Sequence, residues 1–505
     1  MSSRTSKALL NMGVGLGVQL VLLLSNLLNR TYFVRTLEID VLGVHALFQG
    51  LIALATIIEF GLSTSLMYVL YRPLEAGNER RTAALVSHGA RLYRRVAAGV
   101  LVVGILPIPF LSLLTTAEIG FGQLAGYYLV LLCGSAASFL MAHRVTLLLA
   151  DQRAFVSRLY FMAVDLTRSG LQIAALIAIQ SYLAYVLIQV AGTVIYNLAV
   201  YSHVGRAYPY VNKSTQSIDD ETRRDVRESI SAMMVYRVCG VLISNTDAVM
   251  ISIIVGSAAL GFYSNYALII GAVVMATEIM FRGVAAGVGN LIASRDRVSA
   301  LGVFWELSLV AYVVFSSATL VLWSCLDDFV ALWLGERFTI SREITFVALA
   351  NFYLLGNLLP ILVYRTGTGL FKDTKYILVF TAALNLFLSI LGGVVFGVAG
   401  VLAATFVARI LTNWWYEPWR LLREHLGASP WRHYAAQLIG ALLVVAQGAL
   451  YSMVPFDNIG GAIFTLIAES LIVGSASVLL TALLFSRTQA ARALRVRSKM
   501  LLRGS

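Results

Sequence analysis

Long apolar runs without a single charge alternate with short arginine-rich segments along nearly the whole chain. No Asp, Glu, Lys or Arg occurs from Ala8 to Asn29, from Val96 to Thr116 or from Ile119 to Ala142. Each run approaches the ~20 apolar residues that a helix needs to cross a hydrocarbon core of roughly 30 Å. The pattern predicts fourteen spans, at about 8–30, 42–70, 92–115, 121–143, 157–179, 182–205, 230–254, 259–281, 301–324, 343–365, 376–396, 398–416, 433–454 and 460–485. Two long stretches need dividing. Ser169–His203 divides at Gln180-Ser181-Tyr182, and Tyr376–Ala408 divides at Phe396-Gly397-Val398-Ala399-Gly400, where the glycines signal a turn. The expected fold class is all-α integral membrane.

Composition agrees. The 505 residues are 59% hydrophobic and only 13% charged, with a mean hydropathy of +0.81, against about 25% charged for a soluble protein. The net charge of +12 invites a nucleic-acid reading, but the placement of the arginines excludes it. They gather in alternate loops, as the positive-inside rule requires. One side carries Arg72, Arg80, Arg81, Arg91, Arg94, Arg95, Arg144, Arg153, Arg206 and Arg282, among others. The opposite side has only Arg30, Arg35, Arg337 and Arg342. Both termini are thus expected in the cytoplasm, consistent with an even number of spans. Arg4 and Lys7 before the first apolar run resemble a signal peptide, but the run is too long for one and reads as an uncleaved first helix. The tail Arg487–Arg503 reads equally as an amphipathic helix on anionic lipid or as a solvated basic tail.

The longest polar stretch, 206–229, follows the sixth span. It divides the chain into an N-terminal six-helix lobe (1–205), a cytoplasmic linker (206–229), a C-terminal six-helix lobe (230–416), two additional helices (417–485) and a basic tail (486–505). The lobes echo each other weakly. Leu42-Gly43-Val44 opens the second span and Leu260-Gly261-Phe262 the eighth, and Glu59 and Glu278 follow these at nearly equal distance. A pseudo-twofold repeat about the membrane normal is expected, with one lobe rocking against the other to give alternating access.

A charge inside a membrane helix costs several kcal/mol, from roughly 2.5 upward, and usually faces the bundle interior. Here such residues are Glu59, Asp165, Arg168, Arg237, Asp247, Glu278, Arg409 and Glu469. Asp165 and Arg168, three apart, stack on one helix face and read as a self-neutralising pair. Arg237 and Asp247 lie about 15 Å apart along one helix, too far to pair, so Arg237 needs Glu59, Glu278 or an anionic ligand. Asp247 sits beside Ser244, Asn245 and Thr246 and can be satisfied locally. Arg30 and Arg35 end the first span near Glu38 and Asp40, either as interfacial anchors or as phosphate-holding groups at a cavity mouth. Asn26 and other uncharged polar residues add lining suited to a glycan or to helix contacts. Cys133, Cys239 and Cys325 form no metal or disulfide pattern. No phosphate-binding glycine loop, zinc spacing or nucleophile elbow occurs, so neither a cofactor nor catalysis is expected.

Several stretches in order resemble a known family. They include Asn29-Arg30-Thr31, Leu42-Gly43-Val44, Glu59-Phe60-Gly61-Leu62, Ala150-Asp151-Gln152 and Tyr208-Pro209. The second half adds Asn245-Thr246-Asp247, Gly261-Phe262-Tyr263-Ser264-Asn265-Tyr266, Arg365-Thr366-Gly367-Thr368-Gly369 and Glu417-Pro418. Together these resemble the Wzx-type polysaccharide flippases of the multidrug/oligosaccharidyl-lipid/polysaccharide exporter superfamily. The resemblance implies two six-helix lobes plus two C-terminal helices. It implies movement of an undecaprenyl-diphosphate-linked oligosaccharide across the cytoplasmic membrane. It also implies a cationic cavity between the first, second, seventh and eighth helices, which selects Arg30, Glu59, Arg237, Asp247, Glu278 and Arg282.

The resulting expectation assigns Arg30, Arg237, Arg282, Asn26 and Asn245 to substrate and Glu59, Asp247 and Glu278 to a coupling proton or sodium ion. Membrane lipid, a polysaccharide polymerase and glycosyltransferases are the implied partners. The competing readings are a drug/cation antiporter of the same superfamily, a peptidoglycan-precursor flippase and a membrane-embedded glycosyltransferase or polymerase. The last needs a large external loop with catalytic acids, and Asp327–Glu343 is short for that work.

Overall fold

A computed structural model describes residues 2–212, 238–243, 245–293, 296–368, 370, 374–453, 461–486 and 488–495. Among these the chain is helical throughout, with no strand. The helices are α1 (Ser2–Thr36), α2 (Ile39–Ala55), α3 (Phe60–Glu75), α4 (Glu79–Ile105), α5 (Phe121–Ala150), α6 (Ala154–Ile179) and α7 (Tyr182–Ala207). They continue with α8 (Val238–Ile254), α9 (Ser257–Ala293), α10 (Arg297–Leu334), α11 (Arg342–Thr368), α12 (Lys375–Leu411), α13 (Asn413–Arg420), α14 (Trp431–Tyr451) and α15 (Ala462–Phe485).

Ten of the described helical stretches are long and apolar enough to cross a membrane. Local geometry adds one more crossing to these, against the fourteen expected. The stretch Lys375–His425 contains two crossings, because Gly397 (φ 59°, ψ −137°) reverses the chain inside α12. The two arms then run antiparallel. The Asn385 amide donates to the Thr405 hydroxyl at 2.7 Å, and Thr381 donates to Thr412 at 2.7 Å. At the apex Gly392 and Gly400 touch so closely that a Cβ on Gly400 would stand 1.8 Å from the Gly392 carbonyl oxygen. A left-handed φ and a contact of this kind both demand glycine.

The second span differs from its expected continuous helix. Thr56–Glu59 forms a 3-10 turn that separates α2 from α3. The third span begins thirteen residues earlier than expected, at Glu79. Its start is set by Asn78, whose side chain accepts the Arg81 backbone N–H at 3.0 Å, with Glu79 in the first turn to favour the helix dipole. Ser181 starts α7 in the same way, and Asp296 starts α10.

The chain forms two compact units, Met1–Ser264 and Asn265–Ser505. In the first unit α1 packs on α6, and α5 packs on α4 and α7. Helix α8 and the start of α9 belong to this unit as well. Gly50 meets Ala248, Gly261 meets the Ile39 backbone, and a Cβ on Gly43 would lie 1.8 Å from the Ser257 carbonyl oxygen. Ser257 also donates to Asp40 at 2.8 Å. The units therefore divide later in the chain than the polar stretch 206–229.

At the arginine-rich end of the first unit, Arg144 donates to the Tyr201 carbonyl and to the Asn212 side chain. The Tyr208 hydroxyl donates to Asp151 at 2.5 Å. Burial, and then the Asp151 carboxylate, push that hydroxyl well above its ordinary range. In the second unit α10 packs on α15, α11 and α14, around Tyr312, Leu320, Val444 and Val473. Arg365 on α11 forms a buried ion pair with Glu417 on α13.

Candidate functional site

Glu59 closes the 3-10 turn between α2 and α3. A turn of this kind inside a span often marks a hinge, and here it aims an acid into a cavity of about 310 Å³. The cavity lies wholly within the first unit, among α3, α4, α5, α6 and α7. Its polar walls come from Glu59, Tyr93, Thr146, Asp165, Arg168 and Asn197. The Tyr93 hydroxyl stands 3.4 Å from the Glu59 carboxylate and 3.2 Å from the Thr146 hydroxyl. Across the space, Asp165 and Arg168 form the expected pair one turn apart on α6. One oxygen of Asp165 has no hydrogen-bond partner among the described residues.

The volume holds about ten water molecules at ~30 Å³ each. An ion with its waters, or a proton on a carboxylate, fits. The guanidinium of Arg168 faces the same space and is paired with Asp165.

Arg30 lies elsewhere. Helix α1 continues to Thr36, so Arg30 stands six residues, about 9 Å, inside the helix rather than at its end. It is not paired with Glu38 or Asp40. Its guanidinium donates to the Ser264 hydroxyl at 3.3 Å, while Asp40 accepts from Ser257. Beside it, the Asn29 amide donates to Gln172 at 2.8 Å, and Gln172 donates to the Tyr185 carbonyl. Phe33, His45, Tyr182 and Tyr185 pack edge to face around this network. Asn26 is exposed, one turn before Arg30 on the same side of α1. The buried asparagine of α1 is Asn29.

On α8, the Asn245 amide donates to the Val241 carbonyl at 3.0 Å and the Thr246 hydroxyl to the Leu242 carbonyl, one bond each within their own helix. Asp247 is half-buried on the same helix, and Glu278 is half-buried on α9 in the second unit. Arg237 and the Arg282 side chain lie outside the described residues. The structure thus brings Glu59 and the Asp165–Arg168 pair to one cavity and sets Arg30 and Asn26 on α1 outside its lining, with His45 and Tyr185 close to both Arg30 and Arg168. Tyr93 and Thr146 complete the cavity without any signal in the sequence, because neutral polar residues in helices are common, whereas Asn197 is one of the uncharged polar residues expected as lining. Among the described residues, no group of three His, Cys, Asp or Glu side chains is placed to hold a metal ion.

These features define a multi-pass helical membrane protein with polar sites inside its bundle. No protein-family model matches the sequence, and no curated protein matches it. The fold does have counterparts. A Vibrio cholerae MATE transporter, VcmN, in a point-mutant form, aligns with a TM-score of 0.59 and 16% identity, over 84% of this chain and 98% of its own. The lipid II flippase MurJ, in an inward closed conformation, aligns with a TM-score of 0.66 and 12% identity, over 95% of this chain and 99% of its own. A MOP superfamily transporter from Pyrococcus furiosus, described as having a binding pocket of reverse polarity, aligns with a TM-score of 0.56 and 15% identity over 82% of this chain and 95% of its own. The chain has the fold of the MOP superfamily transporters.

Proposed function

We propose that this protein is a flippase that moves an undecaprenyl-diphosphate-linked oligosaccharide across the cytoplasmic membrane during cell-surface polysaccharide synthesis. The observation that carries this reading is Arg30. A guanidinium inside a membrane span is costly unless an anion accompanies it. Among the described residues Arg30 is bonded to a serine hydroxyl rather than to a carboxylate. Its planar fork suits a diphosphate, and exposed Asn26 on the same side of α1 suits a sugar hydroxyl. Arg237, Arg282 and Asn245 extend the proposed substrate contacts. A cationic drug would be repelled by such a site, which disfavours the antiporter reading.

The reading continues with alternating access of the two lobes, the arginine-rich side and both termini facing the cytoplasm. Glu59, in its 310 Å³ cavity, takes the coupling proton, and Asp247 and Glu278 are further coupling candidates, for a proton or a sodium ion. Glycosyltransferases would act before it and a polysaccharide polymerase after it. The peptidoglycan-precursor flippase is the second reading, since it presents the same diphosphate to Arg30 and differs in its sugar. The test is flipping of a fluorescent undecaprenyl-diphosphate glycan in vesicles. Arg30→Gln is expected to abolish it at normal protein levels, and Arg30→Lys to retain part of it. Full activity in Arg30→Gln sinks the proposal.

A further inference from the structure

Helix α4 carries three arginines within little more than one turn, Arg91, Arg94 and Arg95. The spacing i, i+3, i+4 puts their side chains on one face. All three are exposed, and among the described residues none has a carboxylate or hydrogen-bond partner. The opposite face of α4, with Gly89, Tyr93, Val96, Ala97, Val100 and Gly104, is buried in the first unit. The only acid in the helix is Glu79, twelve residues or about 18 Å before Arg91.

The residues that continue this face beyond Arg95 identify its surroundings. Ala98, Val102, Ile105 and Leu106 lie on the same side and are exposed, Val102 at 67% and Leu106 at 65%. A water-filled cleft would not be lined in this way, whereas hydrocarbon would. From Arg95 to Leu106 is about 16 Å of helix, and the 3-10 turn Ile108–Leu113 extends the stripe with exposed Phe110 and Leu113. The helical part alone covers about half of the ~30 Å of a bilayer core. The face therefore changes from acyl-chain contact to guanidinium at the depth where lipid headgroups begin.

We propose that Arg91, Arg94 and Arg95 form a binding site for the phosphate of an anionic glycerophospholipid in the leaflet on the arginine-rich side. Three forked donors on one turn can surround a phosphodiester and satisfy it from several sides, which a dispersed positive surface cannot do. The polyprenyl diphosphate of a transport substrate offers similar chemistry. The surrounding apolar stripe faces bulk lipid, whereas the substrate face proposed above is that of Arg30, so the phospholipid is the assigned occupant. Tyr93 sits between these arginines on the buried side and reaches Glu59. A bound headgroup would fix the depth of that tyrosine in the membrane.

The test uses the full chain reconstituted in phosphatidylcholine vesicles containing a minor fraction of phosphatidylglycerol, with co-purifying lipid counted by native mass spectrometry. Wild type is expected to be enriched in phosphatidylglycerol. The variant R91Q/R94Q/R95Q is expected to lose that enrichment by at least about tenfold, and the triple lysine variant to keep part of it as point charges. R80Q/R206Q/R492Q removes the same charge from other exposed positions and is expected to retain the lipid. Equal loss in that control, or no loss in R91Q/R94Q/R95Q, overturns the site. Displacement of phosphatidylglycerol by an equal fraction of undecaprenyl diphosphate overturns the assignment to phospholipid.

Discussion

Two ion pairs within apolar helices have the same charges and opposite surroundings. Arg365 and Glu417 join separate helices in the second unit, and their side chains are only 6% and 0% exposed. Asp165 and Arg168 share one helix in the first unit, with Arg168 at 21%, and they face a cavity large enough for water. The first pair is sealed and can only hold α11 to α13. The second touches a space that an ion or proton can occupy; each pair leaves one carboxylate oxygen without a hydrogen-bond partner among the described residues, so the cavity is what separates them. Burial by itself therefore does not distinguish a structural charge from a working one. What distinguishes them is whether the pair has anything else to bind.

The sealed pair gives the largest expected effect. Glu417→Ala leaves a guanidinium buried without its carboxylate and is expected to cost about 3–5 kcal/mol. Thermal unfolding of purified protein, or its level in membranes, reads this loss. Arg365→Met combined with Glu417→Leu removes both charges and is expected to recover most of it, because a matched apolar pair avoids the desolvation penalty. If the double variant is no better than the single one, the pair is doing more than joining two helices.

Asp165→Asn is expected to cost less, about 1–2 kcal/mol, because Arg168 keeps access to cavity water. Its main effect falls on transport, since the cavity gains net positive charge opposite Glu59. Unfolding midpoint and vesicle flipping, measured on the same preparation, separate the two effects. A loss as large as that of Glu417→Ala would erase the distinction between the pairs.

Some of this was legible in the sequence. Charge-free runs located the spans because the hydrocarbon core forbids unpaired charge, and the same rule exposed Glu59, Asp165 and Arg168. The glycines around Gly397 correctly marked a reversal. Other features had no such signal. Residues 79–91 read as a loop because of their arginines, yet they form the first turns of α4, with Thr82, Leu85, Val86 and Gly89 buried. The break at Thr56–Glu59 contains neither glycine nor proline, so packing rather than local preference makes it. Arg365 and Glu417 lie 52 residues apart, a distance at which no periodicity applies. Asn26 and Asn29 differ by three positions, and only the packing of α1 against α6 decides that Asn29 is the one buried against Gln172.

Glu59→Gln sharpens the contrast with the smallest expected effect on stability. Glutamine has the shape of the protonated acid and keeps a carbonyl oxygen to accept from Tyr93, so the 3-10 turn and the cavity wall persist. The expected change in unfolding free energy is within about 0.5–1 kcal/mol. The functional expectation is different in kind. A side chain that cannot release a proton fixes the cavity in one charge state, so flipping in vesicles should no longer respond to an imposed pH gradient. Wild-type vesicles should respond, and Asp165→Asn should respond weakly. If Glu59→Gln responds as wild type does, the coupling proton is carried elsewhere, with Asp247 and Glu278 next to be tested. If it unfolds like Glu417→Ala, Glu59 is a structural charge and the comparison between a sealed pair and an open cavity fails at its central residue.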